Sequence, residues 1–233
     1  SMRRTAALTA LLLCPALAAC GGGTDDTATG PSPSPTPSAS PTVVEGVLAA
    51  YTPGAMAITY DPKLAPAGGR VKAELTPSGA GLGVKLTVSG LTPNHTYGTH
   101  VHMKPCGAQA TDAGGHLQHT PDPKASASPP SVDPSFANPT NEVWLDLTTD
   151  ASGAGTSTAT TQWQFTDAPR AIVLHAEKTK TAPGEAGTAG ARVACLSLPA
   201  AGGASPTPTG TAPTATPTGS APAGTPTPRP TAS

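Results

Sequence analysis

Short runs in which apolar and polar residues alternate fill the middle of the chain, at residues 71–75, 84–88, 99–103, 143–147, 156–165 and 172–175. A period of two sends successive side chains to opposite faces, which is the mark of a half-buried strand. Turn formers punctuate the runs, as in Thr76-Pro77-Ser78-Gly79 and Asp150-Ala151-Ser152-Gly153. No window carries a helical stripe. Many short strands at this spacing predict an all-β domain, an antiparallel sandwich or barrel. The exception is 122–139, a Pro- and Ser-rich stretch long enough to suggest a role beyond connection.

The flanks have a different composition. Residues 1–19 carry Arg3 and Arg4 ahead of an apolar run, too short to cross a bilayer comfortably, and read as an export signal. The run closes with Leu17-Ala18-Ala19-Cys20, which resembles the lipobox of bacterial lipoproteins and implies cleavage before Cys20 and lipid on its thiol. Residues 20–42 form a Gly/Ser/Thr/Pro-rich tether, and 200–233 repeat that chemistry. Neither holds the apolar residues needed to offset the entropy of ordering. One domain remains, residues 43–199. The net charge of −1 gives no case for nucleic acid as a partner. With Cys14 in the signal and Cys20 lipidated, only Cys106 and Cys195 are left, and in an exported chain a disulfide is the default.

The chemistry is concentrated in a few positions. His100 and His102 are two apart, so on a strand both face one side while Val101 enters the core. His116 follows the flexible pair Gly114-Gly115, and His175 ends the apolar run Ala171-Ile172-Val173-Leu174. Several imidazoles without a thiolate favour copper(II) over a structural zinc site. His95, in the turn Pro93-Asn94-His95, reads as a surface residue.

The segments Gly98-Thr99-His100-Val101-His102, Gly114-Gly115-His116, Val173-Leu174-His175-Ala176 and Gly190-Ala191-Arg192-Val193-Ala194-Cys195 resemble the copper-zinc superoxide dismutase family, in the family's order. The resemblance implies an eight-stranded Greek-key β-sandwich with long loops. It implies copper held by His100, His102, His116 and His175, and a disulfide between Cys106 and Cys195. It also implies that Arg192 attracts and holds the superoxide anion, while His116 takes part in catalysis. In the family the third copper histidine bridges to zinc, which takes two more histidines and an aspartate. Here the loop 117–143 holds one histidine, His119, and offers Asp122, Asp133 and Glu142 in no recognisable zinc motif. The family carboxylate that links the two metal sites has no counterpart either.

The zinc site is therefore expected to be absent, as in copper-only members of the superfamily. His119 is left open as a surface residue, an extra copper ligand or supporting residue, or part of an altered zinc site. Three functions compete. The first is a superoxide dismutase, monomeric and lipid-anchored on the outer face of the cytoplasmic membrane. The others are a non-catalytic copper-storage lipoprotein and a structural module with a relic site.

Overall fold

The computed structural model describes residues 40–126, 130–168 and 170–200. The expectations for the signal at 1–19, for Cys20 and for most of both flanking segments lie outside these residues. Ten strands run β1 (Thr42–Val47), β2 (Ala57–Thr59), β3 (Arg70–Ser78), β4 (Gly81–Ser89), β5 (Thr96–Tyr97), β6 (Thr99–His102), β7 (Leu147–Thr148), β8 (Gly155–Thr161), β9 (Arg170–His175) and β10 (Arg192–Leu198). A single turn of 3-10 helix at Ala110–Ala113 is the only helix among the described residues.

One four-stranded sheet has the order β1-β3-β4-β8, a second has the order β2-β10-β9-β6, and β5 pairs with β7. All of these ladders are antiparallel. The expected choice between sandwich and barrel thus resolves to two separate sheets, a sandwich.

Alternation built the core. Val71, Ala73 and Leu75 of β3 and Val84, Leu86 and Val88 of β4 point inward from the first sheet. Val101, Ile172, Leu174, Ala194 and Leu196 meet them from the second. Each large aliphatic side chain removed from water this way contributes about 1.5–3 kcal/mol.

Three strands carried little signal in the sequence. β10 lies between β2 and β9, and Val193 to Leu198 are all buried, so its pattern is continuous rather than alternating. β2 has only three residues, all buried, and β1 is an edge strand. The run at 156–165 stops as a strand at Thr161, whose hydroxyl donates to the Trp163 carbonyl (2.6 Å) and accepts from the Leu82 amide (3.2 Å). The run at 143–147 is a strand only at its end. It lies along β6 through Val101 N–H to Val143 O (3.2 Å) and Leu145 N–H to Thr99 O (2.7 Å). The faces were nonetheless as the alternation required, with Val143, Leu145 and Leu147 in the core.

The outer face of the second sheet carries the chemistry. Ala171 and Val173 of β9 and Cys195 of β10 form a small cluster there with Ala113. The loop after β6 is pinned over it by a disulfide between Cys106 and Cys195, 89 residues apart in sequence.

Candidate metal centre

Strand parity sets the site. His100 and His102 share the outer face of β6, and His175 shares the outer face of β9 with Ala171 and Val173. His116 arrives on an extended segment beside β6, as an antiparallel bridge to His102. One ligand atom from each of the four imidazoles lies within 4.8 Å of all the others, and this is the only such cluster among the described residues. His102 Nε2 and His175 Nε2 are 3.3 Å apart.

The opposite nitrogen of each ring is held from outside. His102 Nδ1 donates to Gly114 O (3.0 Å) and His175 Nδ1 to Gly190 O (3.3 Å). His116 Nδ1 donates to Glu142 Oε2 (2.9 Å). These bonds leave the Nε2 lone pairs facing inward. His100 is reversed: its Nε2 meets the Thr179 hydroxyl at 2.7 Å, and its Nδ1 is buried with no partner among the described residues. A buried polar atom without a partner is costly. Three Nε2 atoms and one orphaned Nδ1 converging on one point fit a bound copper or zinc ion by donor type.

Electrostatics agree with that fit. Burial, followed by the charges of the neighbouring imidazoles and of Arg192, holds His100 and His102 well below the ordinary histidine pKa. Burial and His116 push His175 down to about 3. Neutral imidazoles with free lone pairs are the form that binds metal.

Arg192 lies opposite His175 in the β9–β10 ladder, beside a bulge between Arg192 and Ala194. Without that bulge, Arg192 and Cys195, three apart, would face opposite sides. The extra residue sends Val193 and Ala194 both into the core and leaves Arg192 and Cys195 both on the outer face. The guanidinium donates to Ala110 O (2.9 Å) and Gly114 O (2.7 Å), carbonyls of the disulfide-pinned loop. Gly114 O thus accepts from both Arg192 and His102. Burial lowers the Arg192 pKa, yet a guanidinium remains a cation at any working pH.

The surrounding shell contains residues that sequence reasoning did not assign. Glu142, 2% exposed, accepts from His116 and Trp144 Nε1 (2.7 Å) on one oxygen and from Gln118 Nε2 (2.8 Å) on the other. Trp144 also packs edge-on against His100, with centroids 5.7 Å apart. Asp146 accepts the Thr179 hydroxyl (2.6 Å) and the Thr99 amide (3.0 Å). The signal was available in the run Glu142-Val143-Trp144-Leu145-Asp146. Its apolar positions fill the core, so its polar positions must face the histidines.

His119 stands apart from the cluster. On an extended segment His116 and Gln118 share one face, and Leu117 and His119 take the other. Leu117 enters the core, while the exposed His119 ring stacks on Trp163, 5.1 Å between centroids and 8° from parallel. His95 also lies outside, its Nε2 on Ala176 O (3.0 Å). The long loop helps to enclose a cavity of about 190 Å³, where its Asp122 and Ser131 face Met103, His116, Gln118 and Glu142.

The family model for copper/zinc superoxide dismutase matches residues 67–197, more than half of the chain. The chain belongs to the copper/zinc superoxide dismutase family. The matched region spans all four histidines, both domain cysteines and Arg192. Among solved structures, the chain is similar to a Cu/Zn superoxide dismutase from Brucella abortus. That match has 20% identity and a TM-score of 0.46, and covers 67% of this chain and 97% of that one. It is also similar to a double mutant of a SOD-like protein from Bacillus subtilis, with 19% identity and a TM-score of 0.40, over 55% of this chain and 88% of that one. No curated protein matches the chain.

Proposed function

We propose that this domain disproportionates superoxide to dioxygen and hydrogen peroxide at a copper ion held by His100, His102, His116 and His175. The observation that carries the reading is the convergence of four imidazole ligand atoms, the orphaned His100 Nδ1 among them. Copper, when bound, supplies one-electron exchange in both directions. The protein supplies the rest. Backbone carbonyls fix two of the rings, and the disulfide-pinned loop holds Arg192 beside them with N–H groups left over for an anion. A fixed cation in a partly buried setting both attracts superoxide and orients it by charge-assisted hydrogen bonds.

The same reading does without zinc. On this reading the second nitrogen of His116 has the Glu142 carboxylate as its partner, to which it donates its proton. Glu142 therefore does the orienting that zinc would do, held in turn by Trp144 and Gln118.

We also place the protein outside the cytoplasmic membrane, as a monomer tethered through lipid on Cys20. The lipobox-like Leu17-Ala18-Ala19-Cys20 supports this, as does the disulfide, since such bonds persist in oxidising compartments.

The test is direct measurement of superoxide decay by copper-loaded protein freed of loose metal, with His102→Ala as control. A rate near the diffusional ceiling of about 10⁸–10⁹ M⁻¹s⁻¹, lost in the variant, is expected. Tight copper binding with no rate above the variant's would instead make the protein a copper carrier on this fold.

A further inference from the structure

Three of the four rings owe their tautomer to acceptors that cannot donate: the Gly114 and Gly190 carbonyls and the Glu142 carboxylate. His100 alone faces a hydroxyl, which can either give or take a proton. Its partner Thr179, itself buried, decides the matter through what lies behind it. Asp146 Oδ1 sits 2.6 Å from the Thr179 hydroxyl and 3.0 Å from the Thr99 amide, while its Oδ2 accepts the Thr179 amide at 3.0 Å. An ionised carboxylate only accepts. The single hydroxyl proton of Thr179 is therefore committed to Asp146, and the oxygen presents a lone pair to His100. His100 Nε2 must then carry the proton. Its Nδ1 is left as a lone-pair nitrogen, which is the buried atom without a partner.

We propose that Thr179 is a positioning residue whose hydroxyl, polarised by Asp146, locks His100 in the tautomer that offers Nδ1 to the metal. This rests on the reading above that the four imidazoles hold copper, and it assigns the ring that no backbone carbonyl fixes. Asp146 cannot do the work directly, because its Oδ1 is 4.0 Å from His100 Nε2. The hydroxyl spans the gap. Its place is kept by close packing: a Cβ on Gly98 would come within 2.8 Å of Thr179 Oγ1 and 2.6 Å of the Glu177 carbonyl. The ring and the residue that sets its proton are thus on different elements, β6 and the segment after β9, and meet directly, while Asp146 holds both backbones through the Thr99 and Thr179 amides.

Thr179→Val keeps the shape and removes the hydroxyl, whereas Thr179→Ser restores it. Two readouts separate the lock from the metal reading. Heteronuclear NMR of histidine-labelled, metal-free protein reports which His100 nitrogen carries the proton. Nε2–H is expected in the parent and in Thr179→Ser, with a mixture or the reverse in Thr179→Val. Copper(II) affinity by chelator competition, together with the copper EPR spectrum, should show a loss of about 10–100-fold and altered parameters in Thr179→Val. Thr179→Ser should return both towards the parent. A parent His100 protonated on Nδ1 would overturn the lock, as would Thr179→Val binding copper with parental affinity and spectrum. Failure of the parent to bind copper would sink the metal centre alone, and the NMR result would still decide whether Thr179 sets the His100 proton.

Discussion

Replacing Glu142 by glutamine changes one atom at the carboxylate that holds His116. The carboxylate receives three donors, His116 Nδ1 and Trp144 Nε1 on one oxygen and Gln118 Nε2 on the other, and it is 2% exposed. An amide has one oxygen for them. The lower-cost arrangement turns that oxygen to His116 and Trp144 and sets the new NH₂ against the Gln118 amide. Gln118 can flip only by losing its bond from the Asp122 amide. Hydrogen bonds to a charged acceptor contribute about 1.5–3 kcal/mol and neutral ones about 1, so the two retained bonds each weaken by about 1 kcal/mol. The opposed donors add roughly 1 kcal/mol or more. Urea unfolding of the metal-free domain should therefore show a loss of about 2–4 kcal/mol. Copper affinity, read by chelator competition, should fall by about 10–100-fold, because the ring of His116 is no longer anchored by a charge. Lost stability with unchanged copper affinity would show Glu142 to be an ordinary buried acid and would refute its role in place of zinc.

Three further outcomes follow from the same geometry. The metal-free domain should weaken in acid: His100, His102 and His175 have folded pKa values below the ordinary 6.5, so only the unfolded chain takes up their protons as pH falls below that value. Stability is full above about 6.5 and declines by up to about 1.4 kcal/mol per pH unit for each imidazole, reaching down to about 3 for His175, which urea titrations across this range would read. Arg192→Ala should slow superoxide decay by about 10-fold or more and flatten its dependence on ionic strength, with copper affinity nearly unchanged because Gly114 O keeps its bond from His102. Gly98→Ala should cost about 1–3 kcal/mol in urea unfolding, since its Cβ would fall 2.5 Å from that of Ala189 and 2.6 Å from the Glu177 carbonyl.

The sequence made some layers of this site plain and hid others, for a physical reason. The four histidines were legible because a metal ligand must be a particular residue type, and strand parity tied His100 to His102 before any coordinates. The core of β3 and β4 was legible because each strand has one wet face. β10 was not, since its burial on both faces leaves no alternation to read, and neither was the bulge that turns Arg192 and Cys195 to one side; β9, equally buried, showed only as an apolar run. The supporting residues were hardest to find. Any acceptor will fix a ring nitrogen, and here the acceptors are two backbone carbonyls, a glutamate and a threonine from four parts of the chain. A search of the loop for the family zinc motif finds no copy of it and stops there. The alternation in Glu142 to Asp146 says more: with Val143 and Leu145 committed to the core, both carboxylates are carried to the face where β6 presents its histidines. One short segment thereby supports His116 directly and His100 through Thr179. Two rings of the histidine cluster are thus coupled by a length of polypeptide.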